Sequence, residues 1–162
     1  MTELSGYHLG DGEGAAWWFL DTLMTVKAGS AETGGAFTLI DCRAPAGFGP
    51  PLHVHHGEDE GFYILDGQLD VQCGKQRWTA GEGAFVLLPR GVPHAFAVTG
   101  GRDCRLLQIT SPAQFDNFVA EAGRPATSLT LPEPSAPDVP TFAAVAARYG
   151  NELVGPPLTV TS

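Results

Sequence analysis

Residues 51–67 read PLHVHHGEDEGFYILDG. Three histidines and three acids crowd into positions 53–60, and the chain then turns apolar. Side chains on a β-strand alternate between two faces. With LHVHH as a strand, His53 and His55 share one face and Val54 takes the other. With EDEGFYILD as the next strand, Glu60, Phe62 and Ile64 share a face. Two bulky apolar groups turn that face inward, and Glu60 goes with it. A buried carboxylate without a partner is costly and tends to take up a proton. A cation gripped by His53 and His55 would remove that cost. His56 falls out of step with the pair and is expected to face solvent.

A third histidine follows in LPRGVPHAFAV, residues 88–98. The Gly/Pro turn delivers His94 to the start of a strand on which His94, Phe96 and Val98 alternate onto one face. A His-x-His pair alone is a weak signal. The pair, a carboxylate five residues on and another histidine after a turn make a much stronger one. Phe62, Ile64, Phe96 and Val98 share faces with these groups, and Phe48, Trp17 and Phe115 are candidates for the rim. Together they would suit a flat apolar ligand, although a small β-domain needs such residues as filling in any case.

The rest of the chain supplies the frame. Its 162 residues suit one domain, and 21 glycines with 13 prolines favour an all-β chain with many turns. Short β-type runs extend from WWFLDTLMTVKA at residue 17 to CRLLQIT at 110. Asp66-Gly67 reads as a hairpin turn and Cys73-Gly74-Lys75 as another tight turn. Residues 1–14 read as a loose arm and 15–110 as the β-domain. Residues 111–162 read as short helices around a Pro-rich linker at 124–140. The first helix is expected from Ser111 as N-cap to a stop at Gly123, with Phe115, Phe118, Val119 and Ala122 on its apolar face. The second is TFAAVAARYG, residues 141–150. A net charge of −9 argues against nucleic acid and anionic membranes. No secretory leader is read, and three widely spaced cysteines read as reduced thiols, so a cytoplasmic protein is expected. Two adjacent tryptophans on one strand point to opposite faces, which suggests a homodimer through the N-terminal strand.

The motif residues resemble the cupin superfamily. Gly47, His53-Val54-His55, Glu60 and Gly67 match its first motif; Gly83, Pro89-Arg90-Gly91 and His94 match its second. The family pattern closes on an Asn where this chain has Val98. The resemblance implies a single jelly-roll β-barrel with one or two short C-terminal helices. It also implies one divalent transition metal (Fe, Ni, Mn, Cu or Zn) held by His53, His55, Glu60 and His94. Within the superfamily the chain is similar to small single-cupin proteins of the quercetin 2,3-dioxygenase type. That implies a metal-dependent dioxygenase acting on a flat aromatic or enolisable small molecule, with Glu60 as both ligand and base. The alternatives are a non-redox isomerase or polyketide-type cyclase, and a small-molecule-binding cupin without turnover.

Overall fold

Alternation between buried and open residues shapes the strands. On β5 (Asp59–Asp66), Glu60, Phe62 and Ile64 are buried while Tyr63 and Leu65 face out. On β10 (Cys104–Ser111), Cys104, Leu106, Gln108 and Thr110 point in. The computed structural model describes residues 3–160. The other strands are β1 (Ala15–Phe19), β2 (Thr22–Ala28), β3 (Thr38–Ala44), β4 (Pro51–His55), β6 (Gln68–Cys73), β7 (Gln76–Ala80), β8 (Phe85–Leu88), β9 (His94–Thr99), β11 (Arg124–Pro125) and β12 (Asn151–Pro157). Two helices, α1 (Phe115–Ala122) and α2 (Val139–Arg148), flank β11.

The strands form two antiparallel sheets, in the orders β11-β1-β2-β3-β10-β5-β8 and β12-β4-β9-β6-β7. They make a jelly roll, as the sequence implies, but not a closed barrel. Among the described residues no strand of one sheet pairs with a strand of the other. Asp66-Gly67 shows why. It is not a hairpin, because β5 and β6 lie in different sheets and Gly67 carries the chain across. Gly67 sits at φ +85°, and a Cβ there would come within 2.7 Å of the Asp103 carbonyl oxygen, so only glycine makes this corner. Gly74-Lys75 does close a hairpin, with Cys73 opposite Gln76.

The C-terminal region departs most from expectation. Helix α1 starts at Phe115, not after Ser111, because the Ser111 backbone is committed to the sheet opposite Asp59. Gln114 takes the N-cap position without capping, and its side chain instead donates to the Tyr149 carbonyl. The stop at Gly123 is where the sequence places it. Helix α2 starts at Val139, capped by Asp138, which accepts from the Thr141 amide and hydroxyl. The linker contains β11, and residues 151–157 form a strand that the sequence reading missed.

That segment also covers the tryptophan pair. Strand β11 pairs with the outer edge of β1 at Trp17 and Trp18. The Trp18 indole donates to the Thr130 carbonyl and lies under the Arg124 guanidinium, 4.6 Å from the ring centre. Trp17 packs against the core. The chain's own C-terminal segment therefore covers part of the apolar surface at β1. Open apolar side chains lie elsewhere, at Tyr63, Phe85, Leu87 and Ile109 on β5, β8 and β10. No helix among the described residues is long and apolar enough to cross a membrane.

Candidate metal centre and cavity

Strand pairing sets the centre. His53 on β4 lies opposite His94 on β9, and His55 follows two residues on along the same face. Glu60 reaches in from β5 in the facing sheet. One potential ligand atom from each of His53, His55, Glu60 and His94 lies within 4.8 Å of all the others. Glu60 Oε2 stands 3.5 Å from His55 Nε2, and Glu60 Oε1 stands 3.4 Å from His94 Nε2. His94 is fully buried, and its Nε2 has no hydrogen-bond partner. An orphaned imidazole nitrogen turned toward a buried carboxylate and two more imidazoles fits a divalent transition ion.

The rings are oriented for that role. His53 Nδ1 meets the Pro51 carbonyl at 2.6 Å, His55 Nδ1 meets Glu58 Oε1 at 2.9 Å, and His94 Nδ1 meets the Val92 carbonyl at 3.3 Å. Each Nδ1 faces an acceptor, so these partners assign the proton to Nδ1 and leave each Nε2 lone pair free. Glu60 is fixed too, because Gln108 Nε2 donates to its Oε2 at 2.8 Å. His56 lies outside the cluster. It is more than half exposed and bonds Glu152.

The charges of the cluster are coupled. Burial, then the neighbouring His94 and His55, lowers the His53 pKa to about 4 and keeps that imidazole neutral. Burial pushes Glu60 up, but the neighbouring His55, His94 and His53 outweigh it and bring the carboxyl down to about 2. Burial lowers His55, but Glu60 and Glu58 outweigh it and raise its pKa. The centre therefore keeps a carboxylate anion and draws positive charge toward it. A proton on an imidazole and a divalent cation compete for that place.

Glu58 and Gln108 are functional neighbours that sequence reasoning missed. Glu58 sits inside the opening stretch, three residues past His55, and is fully buried. Gln108 carries a legible signal, an amide at an inward position of an alternating strand. Asn151 is also buried at the site, on the strand paired with β4, with Asn151 opposite His55. No local pattern marks it.

The cluster closes one end of an apolar cavity of about 60 Å³. Phe48, Phe62, Phe96 and Phe115 line it, as do Phe118 and Phe142 from the helices. Of the residues suggested for a pocket, Ile64, Val98 and Trp17 are not in its lining. Ile64 and Val98 are fully enclosed in the core. Alternation selects the face of a strand, not how far along it a cavity reaches. The cavity shares Leu20, Phe48, Pro51 and Phe142 with a wider groove of about 820 Å³, walled by α2 and residues 135–138. Leu20 sits at this mouth with φ 53°, a left-handed conformation forced by the tight β1–β2 turn. Cys42 also lines the cavity, but burial raises its thiol pKa far above neutral, which leaves no nucleophilic thiolate.

Residues 41–110 match the family model described as cupin domain. The chain is a member of the cupin superfamily. It is 30% identical over 119 residues to quercetin 2,3-dioxygenase of Bacillus subtilis (strain 168). That match covers 74% of this chain but spans only 35% of the relative's length. Among solved structures, KdgF from Halomonas sp. superposes with a TM-score of 0.61 at 16% identity, covering 70% of this chain and 99% of that one. The cupin domain of Schizosaccharomyces pombe Cnp3 gives 0.52 at 18%, covering 60% and 69%. These two likenesses are to the fold alone.

Proposed function

We propose that this cupin is a metal-dependent dioxygenase of the quercetinase-like type, acting on a flat aromatic or enolisable small molecule. One observation carries the reading. A buried three-histidine, one-glutamate cluster presents His53, His55 and Glu60 to a cavity of aromatic rings whose lining contains no lysine or arginine. The partial likeness to quercetin 2,3-dioxygenase supports it. The apolar lining favours an uncharged molecule over an anion, and the adjoining groove of about 820 Å³ supplies the room a planar one needs beyond the cavity's 60 Å³.

His53, His55, Glu60 and His94 would hold the ion. A bound divalent ion supplies Lewis acidity toward a substrate oxygen. The chain's own residues do the rest. The ring walls position the substrate and exclude water. Gln108 holds Glu60 Oε2, so Oε1 is the oxygen free to accept the proton of a substrate hydroxyl. The electron-rich anion left behind is the form that reacts with dioxygen, and that reaction opens the substrate ring.

The test is oxygen uptake with quercetin, run on protein loaded in turn with iron, nickel, manganese, copper or zinc. Uptake of one dioxygen per quercetin, with both oxygen atoms recovered across the ring-opened products taken together, is the expected result. Conversion without oxygen uptake overturns it in favour of an isomerase or cyclase. Tight quercetin binding without conversion by any metal form overturns it in favour of a binding protein.

A further inference from the structure

The polar groups of the cavity are almost all engaged. Thr22 spends its hydroxyl on the Phe19 carbonyl, and Gln108 spends its amide nitrogen on Glu60. Asn151 is different. Its side chain is buried at 4% exposure, yet neither Nδ2 nor Oδ1 has a hydrogen-bond partner. It lines the same cavity as His53, His55 and Glu60. Its place is fixed from both sides: Gln114 holds the Tyr149 carbonyl at 2.7 Å, and the His56 amide holds the Gly150 carbonyl at 2.9 Å. Residues directly opposite on paired antiparallel strands share a face. The carboxamide therefore stands beside the His55 imidazole, at the ion-binding end of the cavity. A buried amide with no partner costs stability, and an apolar side chain of its size would remove that cost.

We propose that Asn151 is the second polar anchor for the substrate. The oxygen on one carbon goes to the His/Glu cluster, and the Asn151 carboxamide hydrogen-bonds the oxygen on the neighbouring carbon. This rests on the cavity being the substrate site. It narrows the substrate class to neutral planar molecules with two oxygens on adjacent carbons: hydroxy-ketones of flavonol type, enediols or catechols. An amide suits such an oxygen because it both donates and accepts without charge.

Two naphthols test it by calorimetry on zinc-loaded protein, which cannot oxidise them. 2,3-Dihydroxynaphthalene carries the adjacent oxygen pair, and 2-naphthol lacks the second oxygen. Wild-type protein should prefer the diol by roughly five- to tenfold, the range of one hydrogen bond. Asn151→Leu should reduce that preference to within about twofold, leave 2-naphthol binding unchanged and keep or raise Tm. Asn151→Ala gives the same comparison without the added bulk. A preference that survives both substitutions assigns the second oxygen to the ion and overturns the proposal. A marked fall in Tm in both variants makes Asn151 structural and overturns it as well. So does failure of wild-type protein to bind either naphthol. Oxygen uptake plays no part here. A protein that discriminates the pair yet consumes no oxygen with quercetin keeps this role for Asn151 and loses the dioxygenase reading.

Discussion

The two ends of the cavity are built from opposite materials. At the ion-binding end, strands from both sheets present imidazoles and a carboxylate, and hydrogen bonds fix each group. At the other end, α1 and α2 bring Phe115, Phe118 and Phe142 against Phe19 from β1, with ring centres 5.2–6.0 Å apart. His55 bridges them, stacked on Phe115 with ring centres 5.9 Å apart. One end is set by direction and charge, the other by volume. Chemistry and substrate shape can therefore change separately on this frame.

Glu60→Gln is the strongest way to break that division. Glutamine keeps the shape and an oxygen ligand but loses the charge and the basic lone pair. Metal occupancy should fall only in part, because three imidazoles remain. Turnover per bound metal should fall by ~10²–10⁴-fold, the usual contribution of a general base. Wild-type turnover per bound metal in the variant, measured by oxygen uptake alongside elemental analysis, would remove the base role.

Phe118→Ala strikes the opposite end. Phe118 is buried among Phe19, Phe115, Phe142 and Tyr149. Its loss should cost about 3–5 kcal/mol of folding stability, the range for emptying a buried aromatic site. Denaturant titration measures this. Metal affinity of the folded variant should stay near wild type, and a large loss there would show that the two ends are one unit.

Glu58→Gln sharpens the comparison inside the ion-binding end. Glu58 touches no substrate-facing surface and acts through His55 Nδ1. A glutamine can still accept there, but it weakens the charge that makes His55 a better donor to the ion. Metal affinity should fall ~10- to 100-fold, as it does for partners of ligating histidines. Competition with a chelator gives the number. An unchanged affinity would reduce Glu58 to packing.

The same division decides what was legible in the sequence. The four ligands at the ion-binding end were written in local rules. A period of two put His53 and His55 on one face, and a Gly/Pro turn introduced His94. Asn151 at that same end, and the closing of the aromatic end, depend on contacts between distant parts of the chain. Strand β12 finds β4 across about a hundred residues, and no alternation in NELVGPP announces it. Ser111 carries a helix-start signal that the sheet overrides by using its backbone opposite Asp59. Asp66-Gly67 carries a hairpin signal, but which sheet receives the next strand depends on its partners and not on the turn. Ile64 and Val98 show the limit from the other side, with the correct face and the wrong depth.

His56→Ala has the smallest expected effect and isolates the alternation argument. Three imidazoles stand within four residues, and each could in principle bind an ion. The strand gives only His53 and His55 a common face, and His56 turns out to meet Glu152 at 2.8 Å in open solvent. An exposed pair of this kind contributes little to stability. The backbone amide of residue 56 holds the Gly150 carbonyl, and alanine keeps that bond. Metal affinity by chelator competition should therefore stay within about twofold of wild type, far from the loss expected for Glu58→Gln. A tenfold or greater fall would mean that His56 enters the centre, and that strand parity is not what selects the ligands.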